Sequence, residues 1–285
     1  MKQIGIIGCG WFGLPLAQAL KQLGHKVIGT KRSIEGCEQL ASLGITACPL
    51  DLNDDIFYNE AFANNTFANN INELLECQVL VINIPPGLRK KAGKAESRYL
   101  EQLSNLVHFI GPRGYQKLVF ISTTGVYPAG DDAELPLSEA DAKAHNDASE
   151  ILLNAEALFA PMDNSCILRF AGLVGPNRHP GRFFAGKTGI SGANVAVNLV
   201  HLDDCIGAVI KVINADKTAP VYNIVAPEHP SRGEFYPLAT THLGLVAPVF
   251  NQEVMPTKVI SGALICQQLG FIYQYPDPLK MLYAC

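Results

Sequence analysis

A G-x-G-x-x-G turn between an apolar strand and an amphipathic helix, strand and helix patterns alternating behind it, and a change of character after residue 171 together predict the fold class. It is α/β: a Rossmann-type doubly wound parallel sheet with a smaller C-terminal α/β substrate lobe. Lys2-Gln-Ile-Gly-Ile-Ile reads as an apolar strand running into Gly8-Cys9-Gly10-Trp11-Phe12-Gly13. Leu16, Ala17, Leu20 and Leu23 continue at helical spacing to Gly24. Gly8 permits the tight turn and Gly10 lets backbone approach a pyrophosphate. Gly13 lets the helix pack on the strand, so that its N–H groups and positive dipole end face the phosphates. Taken alone, the glycines also fit a tight turn in a nucleotide-free α/β domain.

The remaining elements follow in order. His25–Thr30 reads as strand two, Ile45–Leu50 as strand three, Val79–Asn83 as strand four, Lys117–Ser122 as strand five and Cys166–Phe170 as strand six. A helix from about Ala142 to Phe159 joins the last two and stops at Pro161. The small duplication in Phe62–Ile71 precedes a helix ending near Cys77 and is too short for a solenoid. From Gly172 onward, residues 175–181 read as a loop by their glycines and prolines. Val200-His201-Leu202-Asp203-Asp204 opens a helix to about Asn214, and Val221–Val225 reads as a strand. The last sixty residues read as a smaller α/β part, with a helix exit at Leu269-Gly270-Phe271. The expected division is a dinucleotide-binding domain over 1–170, to which 199–225 return, and a substrate lobe from 171–198 and 226–285. No flexible linker separates the halves, so a two-lobed unit with a cleft between the lobes is expected.

Composition narrows the function classes. The chain is 48% hydrophobic and 17% charged with net charge −4, which gives no nucleic-acid footprint. No apolar run is long enough to span a bilayer, and the N-terminus enters a strand without signal-peptide organisation. The eight cysteines are scattered without a C-x-x-C pair. Reduced thiols in a cytoplasm are expected, with neither a zinc site nor a disulfide framework.

Beyond the glycine turn, Ile121-Ser-Thr-Thr-Gly-Val-Tyr-Pro128 resembles the strand-five signature of extended short-chain dehydrogenases/reductases. Leu168-Arg-Phe-Ala-Gly-Leu-Val-Gly-Pro176 resembles their strand-six motif, Val200–Asp204 the motif after their substrate loop, and Val221–Ile224 a later one. The chain is therefore similar to that superfamily, which includes NAD-dependent epimerases and dehydratases of nucleoside-diphosphate sugars, and most similar to its atypical branch. The resemblance implies an NAD(P) cofactor and a small-molecule substrate of nucleotide-sugar type, while the charge and apolar runs above lead to an expectation of no nucleic-acid or membrane partner. The oligomeric state stays open, with a homodimer as one alternative.

Two features depart from the family. Its redox members use a Tyr-x-x-x-Lys pair after strand five, with the lysine supporting the phenolate. Alignment on Glu156 puts Ala148 and Leu152 at those positions. The extended branch also usually carries T-G-x-x-G-x-x-G rather than this chain's G-x-G-x-x-G.

The resemblance assigns Thr123 to the catalytic serine/threonine position, where the alternative is a strand-end threonine satisfying local backbone. Tyr127 lines the cleft and replaces the missing acid/base in one reading, and belongs to the strand motif in the other. Lys143 and His145 are either proton donors or solvated residues at a helix start. Gly8, Gly10, Trp11, Phe12 and Gly13 form the phosphate loop, with Trp11 either covering the pyrophosphate or packing under the strand-four loop. An acidic residue after strand two would hold both adenosine-ribose hydroxyls and favour NAD. Lys31 stands there, beside Arg32, and the first carboxylate is Glu35. Such cations suit a ribose 2′-phosphate, so NADP is expected ahead of NAD, a solvated basic turn being the alternative. Asp51 corresponds to the family's adenine-contacting aspartate. Ile84 and Pro85, in Asn83-Ile84-Pro85-Pro86, lie where backbone lines the cofactor. Arg178, His179, Arg182 and His201 are substrate-side candidates, and Arg89-Lys90-Lys91…Lys94 is either an anion-attracting run or a solvated helix start.

Two functions fit these residues. One is an NAD(P)-dependent oxidoreductase, epimerase or dehydratase. The other is a non-catalytic NAD(P)-binding sensor or partner-binding module.

Overall fold

The computed structural model describes residues 1–52, 67, 70–87, 94–130 and 135–285, with the backbone alone for 94–97. Most of the Phe62–Ile71 duplication and the Arg89–Lys91 run lie outside the described residues, as does the Lys94 side chain.

The chain opens with β1 (Gln3–Ile7), α1 (Gly13–Gln22), β2 (Lys26–Lys31), α2 (Ile34–Ser42) and β3 (Thr46–Pro49). Then come α3 (Asn70–Leu75), β4 (Val79–Ile82), α4 (Lys94–Ile110), β5 (Lys117–Thr123), α5 (Asp147–Phe159) and β6 (Ser165–Phe170). Next are β7 (Gly172–Val174), β8 (Leu199–His201), α6 (Leu202–Asn214), β9 (Val221–Ile224) and α7 (Arg232–His242). Two short helices, α8 (Ala263–Leu269) and α9 (Pro278–Met281), close the described order. Seven strands form one sheet in the order β3-β2-β1-β4-β5-β6-β9, and β7 and β8 form a separate parallel pair. This is the doubly wound α/β class expected from the sequence.

The chain divides into two compact units. The first is Met1–Ser122, Ile151–Ile167 and Val212–Asn214. Here β1 pairs in parallel with β2 and with β4, placing Ile7 opposite Ile82. β4 is buried throughout, as are Ile4, Ile6, Leu16 and Leu20. Strands covered on both faces read as continuous apolar runs, and each such side chain contributes about 1.5–3 kcal/mol by leaving water.

The second unit is Thr123–Glu150, Leu168–Lys211 and Ala215–Cys285. Its boundaries differ from the expected division, because the segment after β5 is tied to distant chain. Gly130 N–H donates to Thr257 O at 2.9 Å, Leu137 N–H to Val259 O at 2.8 Å and Ser261 N–H to Leu137 O at 2.8 Å. Val174, Val197, Leu199, Phe235, Ala239 and Met281 form a buried cluster of this unit. Between 226 and 285 the helices alternate with extended segments that carry only single β-bridges.

Strand ends shift by about one residue from the expected ranges, and two helix starts differ more. The helix expected from Ala142 begins at Asp147, because Asn146 Oδ1 accepts the Ser149 N–H at 2.9 Å and caps it there. Val200 and His201 lie in β8, whose pairing with β7 outweighs their place ahead of a helix start.

Candidate functional site

The glycine turn joins β1 to α1, and its geometry follows from three close approaches. Gly8 has φ +98°, and a Cβ there would stand 2.1 Å from Asn83 O. A Cβ on Gly13 would stand 2.3 Å from Gly8 O, so only glycine lets the first turn of α1 close onto the strand end. A Cβ on Gly10 would meet nothing within 4 Å. That side of the loop is open, as a backbone approached by a phosphate requires.

The loop is held from both flanking strands. Gly8 N–H donates to Thr30 Oγ1 at 2.9 Å and Cys9 N–H to Thr30 O at 3.1 Å. Gly8 O accepts from Gly10 N–H at 2.9 Å and from Asn83 Nδ2 at 3.0 Å. Phe12 is the N-cap residue of α1, makes no side-chain cap bond, and the first turn carries no acidic residue. The positive end of the helix dipole is therefore not offset locally, which favours an anion. The Phe12 side chain is 3% exposed and packs in the core, so this residue can offer a ligand only its backbone. Trp11 is half-buried, Gly10 exposed, and the Cys9 thiol is pushed up to about 12 by burial.

At the end of β2, Lys31 is half-buried and Arg32 exposed, and Ser33 caps α2 by accepting from Gly36 N–H at 3.2 Å. A Cβ on Gly36 would lie 3.0–3.2 Å from the Lys31 stem, so Gly36 leaves the room that the lysine occupies. Glu35 is exposed, and its carboxyl is held low by a backbone hydrogen bond and by Ser33. Asp51 is half-buried after β3. After β4, Ile84 is half-buried and Pro85 exposed, and Ile84 O accepts from the Tyr99 hydroxyl at 3.2 Å. All these residues belong to the first unit. Ser122 Oγ donates to Glu156 Oε1 at 2.5 Å in the same unit, a buried contact that ties α5 to β5.

Thr123 and Tyr127 belong to the second unit. Thr123 Oγ1 accepts from Gly125 N–H at 3.2 Å, so the hydroxyl caps its own turn while its proton stays available for another acceptor. Tyr127 does not fit the expectation of a cleft-lining acid/base. It is 0% exposed, donates to Asn223 Oδ1 at 2.6 Å and accepts from Arg169 Nη1 at 2.7 Å. Burial raises its pKa, and the Arg169 charge opposes that rise. The half-buried Lys258 donates from Nζ to the carbonyls of Thr124 and Tyr127, and burial lowers its pKa. Ala148 is exposed and Leu152 buried, and neither offers a titratable group. Lys143 and His145 are exposed ahead of α5.

Arg178 and Arg182 are exposed on the turn after β7, which Gly181 presses against α7: a Cβ there would lie 2.2 Å from Ala239 O. His201 is not a substrate-side group in this arrangement. It is 1% exposed, its Nδ1 accepts from Asp203 N–H at 3.2 Å, and its Nε2 lies 3.2 Å from Ala284 O. The ring packs on Tyr275 at 3.9 Å between centroids. His179 accepts from Gly181 N–H at 3.0 Å and stacks on His242. Thr30 and Asn83 as side-chain partners of the loop were missed by the sequence reading, as were Lys258, Arg169 and Asn223. Asn83 following directly on a strand four beside the glycine strand was the one available signal. Among the described residues, no group of three or more His, Cys, Asp or Glu side chains could hold a metal.

Residues 2–161 match the model of the UDP-glucose/GDP-mannose dehydrogenase family, NAD binding domain. That stretch is an NAD-binding domain of this family. Over 286 aligned residues the chain is 37% identical to Protein YeeZ of Escherichia coli (strain K12), covering 99% of both chains. The chain belongs to the YeeZ family. Solved structures resemble this YeeZ-family chain over its whole length, well past residue 161. A Methylobacillus flagellatus protein provisionally assigned as an NAD-dependent epimerase/dehydratase is 25% identical, with TM-score 0.71, over 99% of this chain and 97% of its own. UDP-N-acetylglucosamine 4-epimerase from Bacillus cereus gives TM-score 0.73 at 18% identity, over 99% and 94%. Bordetella bronchiseptica WbmG, solved with NAD and UDP, gives 0.75 at 15%, over 99% and 92%. The YeeZ-family chain thus has the extended short-chain dehydrogenase/reductase fold that its motifs predicted.

Proposed function

We propose that this chain is an NAD(P)-dependent oxidoreductase, epimerase or dehydratase of the atypical short-chain dehydrogenase/reductase type, acting on a nucleotide-sugar-like substrate. The observation that carries the reading is the glycine loop, closed at Gly8 and Gly13, open at Gly10 and followed by an uncapped helix start. The backbone of Trp11, Phe12 and Gly13 would hold the diphosphate, over a tight turn made by Gly8 and a close approach left open by Gly10. Asp51, Ile84 and Pro85 would line the adenosine and ribose. Lys31 and Arg32 favour NADP over NAD, because a cation can pair with a 2′-phosphate where a carboxylate would repel it. The bound nicotinamide would supply hydride transfer. The Thr123 hydroxyl, whose proton is available, would orient the reacting substrate group, and Arg178 and Arg182 would pair with substrate phosphates. The eight cysteines, none of them in a disulfide, suit a reducing compartment such as the cytoplasm, and no described helix is long and apolar enough to cross a membrane.

Calorimetric titration with NADPH, NADH and their oxidised forms tests the reading. A tenfold preference for NADPH, ~1.4 kcal/mol, supports the Lys31/Arg32 assignment, and absence of binding by every form refutes cofactor use. A second reading, a non-catalytic NAD(P)-binding sensor or partner module, is favoured by one observation: Ala148, Leu152 and the sealed Tyr127 leave no accessible tyrosine–lysine pair at the family positions. Substrate-dependent turnover of nicotinamide absorbance would overturn it.

A further inference from the structure

We infer that Thr30 and Asn83 are positioning residues for the diphosphate, a two-sided clamp that turns the Gly8 carbonyl away from the anion; this rests on the cofactor reading above. A carbonyl oxygen at the mouth of such a loop repels a phosphate, whereas an N–H attracts it. The Gly8 oxygen has two lone pairs, and both are used inward: one accepts from Gly10 N–H at 2.9 Å, the other from Asn83 Nδ2 at 3.0 Å. From the other side, the buried Thr30 takes the Gly8 N–H on its hydroxyl and the Cys9 N–H on its carbonyl. The first two amides of the loop are thus spent on β2, and the exposed Gly10 follows them.

The two clamp residues come from the strands on either side of β1. Asn83 is fixed in turn, because its own N–H donates to Ile7 O at 2.8 Å and prolongs the β1–β4 ladder by one bond. The contacts at Gly8 and Gly13 leave no slack: a Cβ on Gly13 would touch Gly8 O at 2.3 Å and lie 3.4 Å from Asn83 Nδ2. Loss of the Asn83 donor leaves one lone pair of the Gly8 oxygen unsatisfied and the oxygen held by the Gly10 N–H alone, beside the open side of the loop.

The test compares ligands that do and do not contain a diphosphate. Calorimetry of wild-type, Asn83→Leu, Thr30→Val and Thr30→Ser proteins is run with ADP, NADPH and 2′-AMP. Asn83→Leu keeps the side-chain size but removes the donor, and should weaken ADP and NADPH about tenfold. The same change should leave 2′-AMP within about twofold of wild type. Thr30→Val should act like it, and Thr30→Ser, which keeps the hydroxyl, should bind as wild type does. A folded Asn83→Leu protein that binds ADP normally, or loses ADP and 2′-AMP equally, overturns the clamp. If Asn83→Leu does not fold, Thr30→Val against Thr30→Ser decides by the same criterion. Wild-type protein that binds neither ADP nor NADPH overturns the cofactor reading itself.

Discussion

Arg169 Nη1 donates to the Tyr127 hydroxyl at 2.7 Å, with both side chains almost sealed from solvent. The same Arg169 nitrogen reaches Glu139 O at 2.9 Å, while Asn223 accepts from the tyrosine and takes a Glu139 carboxylate oxygen on its own N–H. Tyr127 is therefore the centre of a satisfied polar network in the second unit. Tyr127→Phe removes one hydroxyl and leaves a guanidinium and an amide short of a partner. Urea unfolding should show a loss of about 2–4 kcal/mol. A loss under about 0.5 kcal/mol would mean that the network is not closed as described.

Gly10 and Gly13 should separate binding from folding. Gly13→Ala drives a methyl into Gly8 O and should lower the melting temperature. Gly10→Ala meets open space, so the fold should keep its stability within about 1 kcal/mol. Its methyl stands where the diphosphate is proposed to lie, and calorimetry should show at least about tenfold weaker NADPH binding. Equal cofactor affinity in Gly10→Ala and wild type would remove the diphosphate from this loop.

Lys31→Ala should weaken NADPH by about tenfold and NADH by less than about twofold, since only the former carries the 2′-phosphate. Gly36→Ala offers a gentler version of the same change. Its Cβ would come within 3.0–3.2 Å of the Lys31 stem and displace it without removing the charge. A smaller loss in the same direction is expected in titrations of that variant.

Restoring the missing pair should fail. Leu152 is 7% exposed, and Leu152→Lys would bury an ammonium, at a cost on the order of several kcal/mol unless it is paired. Chemical denaturation of the Ala148→Tyr/Leu152→Lys double variant should show that loss. A stable double variant would mean that the position opens more readily than its burial implies.

Acid should destabilise the protein through its histidines. His25, His179 and His229 are each held below the ordinary imidazole value, first of all by burial. The unfolded chain therefore takes up these protons first as pH falls, and the stability present above about 6.5 is lost below it. Urea midpoints should fall between pH 7.5 and pH 5. His179 carries a structural reason as well, because its Nδ1 accepts the Gly181 N–H and cannot do so once protonated. A midpoint that rises toward pH 5 would contradict this sign.

The sequence by itself determined the first-unit framework and its glycine turn. Continuous apolar runs such as Val79–Ile82, bounded by turn residues, read as strands buried on both faces, and Gly13 closes on Gly8 O within the same turn. Those are local constraints, and they are written locally. Tertiary structure alone decided what the isolated polar residues do. Tyr127 and His201 look like site residues in their motifs, but their hydroxyl and ring nitrogens are taken by Arg169, Asn223, Asp203 and Ala284, some of them more than forty positions away. Asn83 and Thr30 look like ordinary strand-end residues, yet parallel pairing across β1 carries both to the Gly8 peptide. A hydrogen-bond partner is fixed by where the packed chain brings a donor, and no motif around one residue encodes that position.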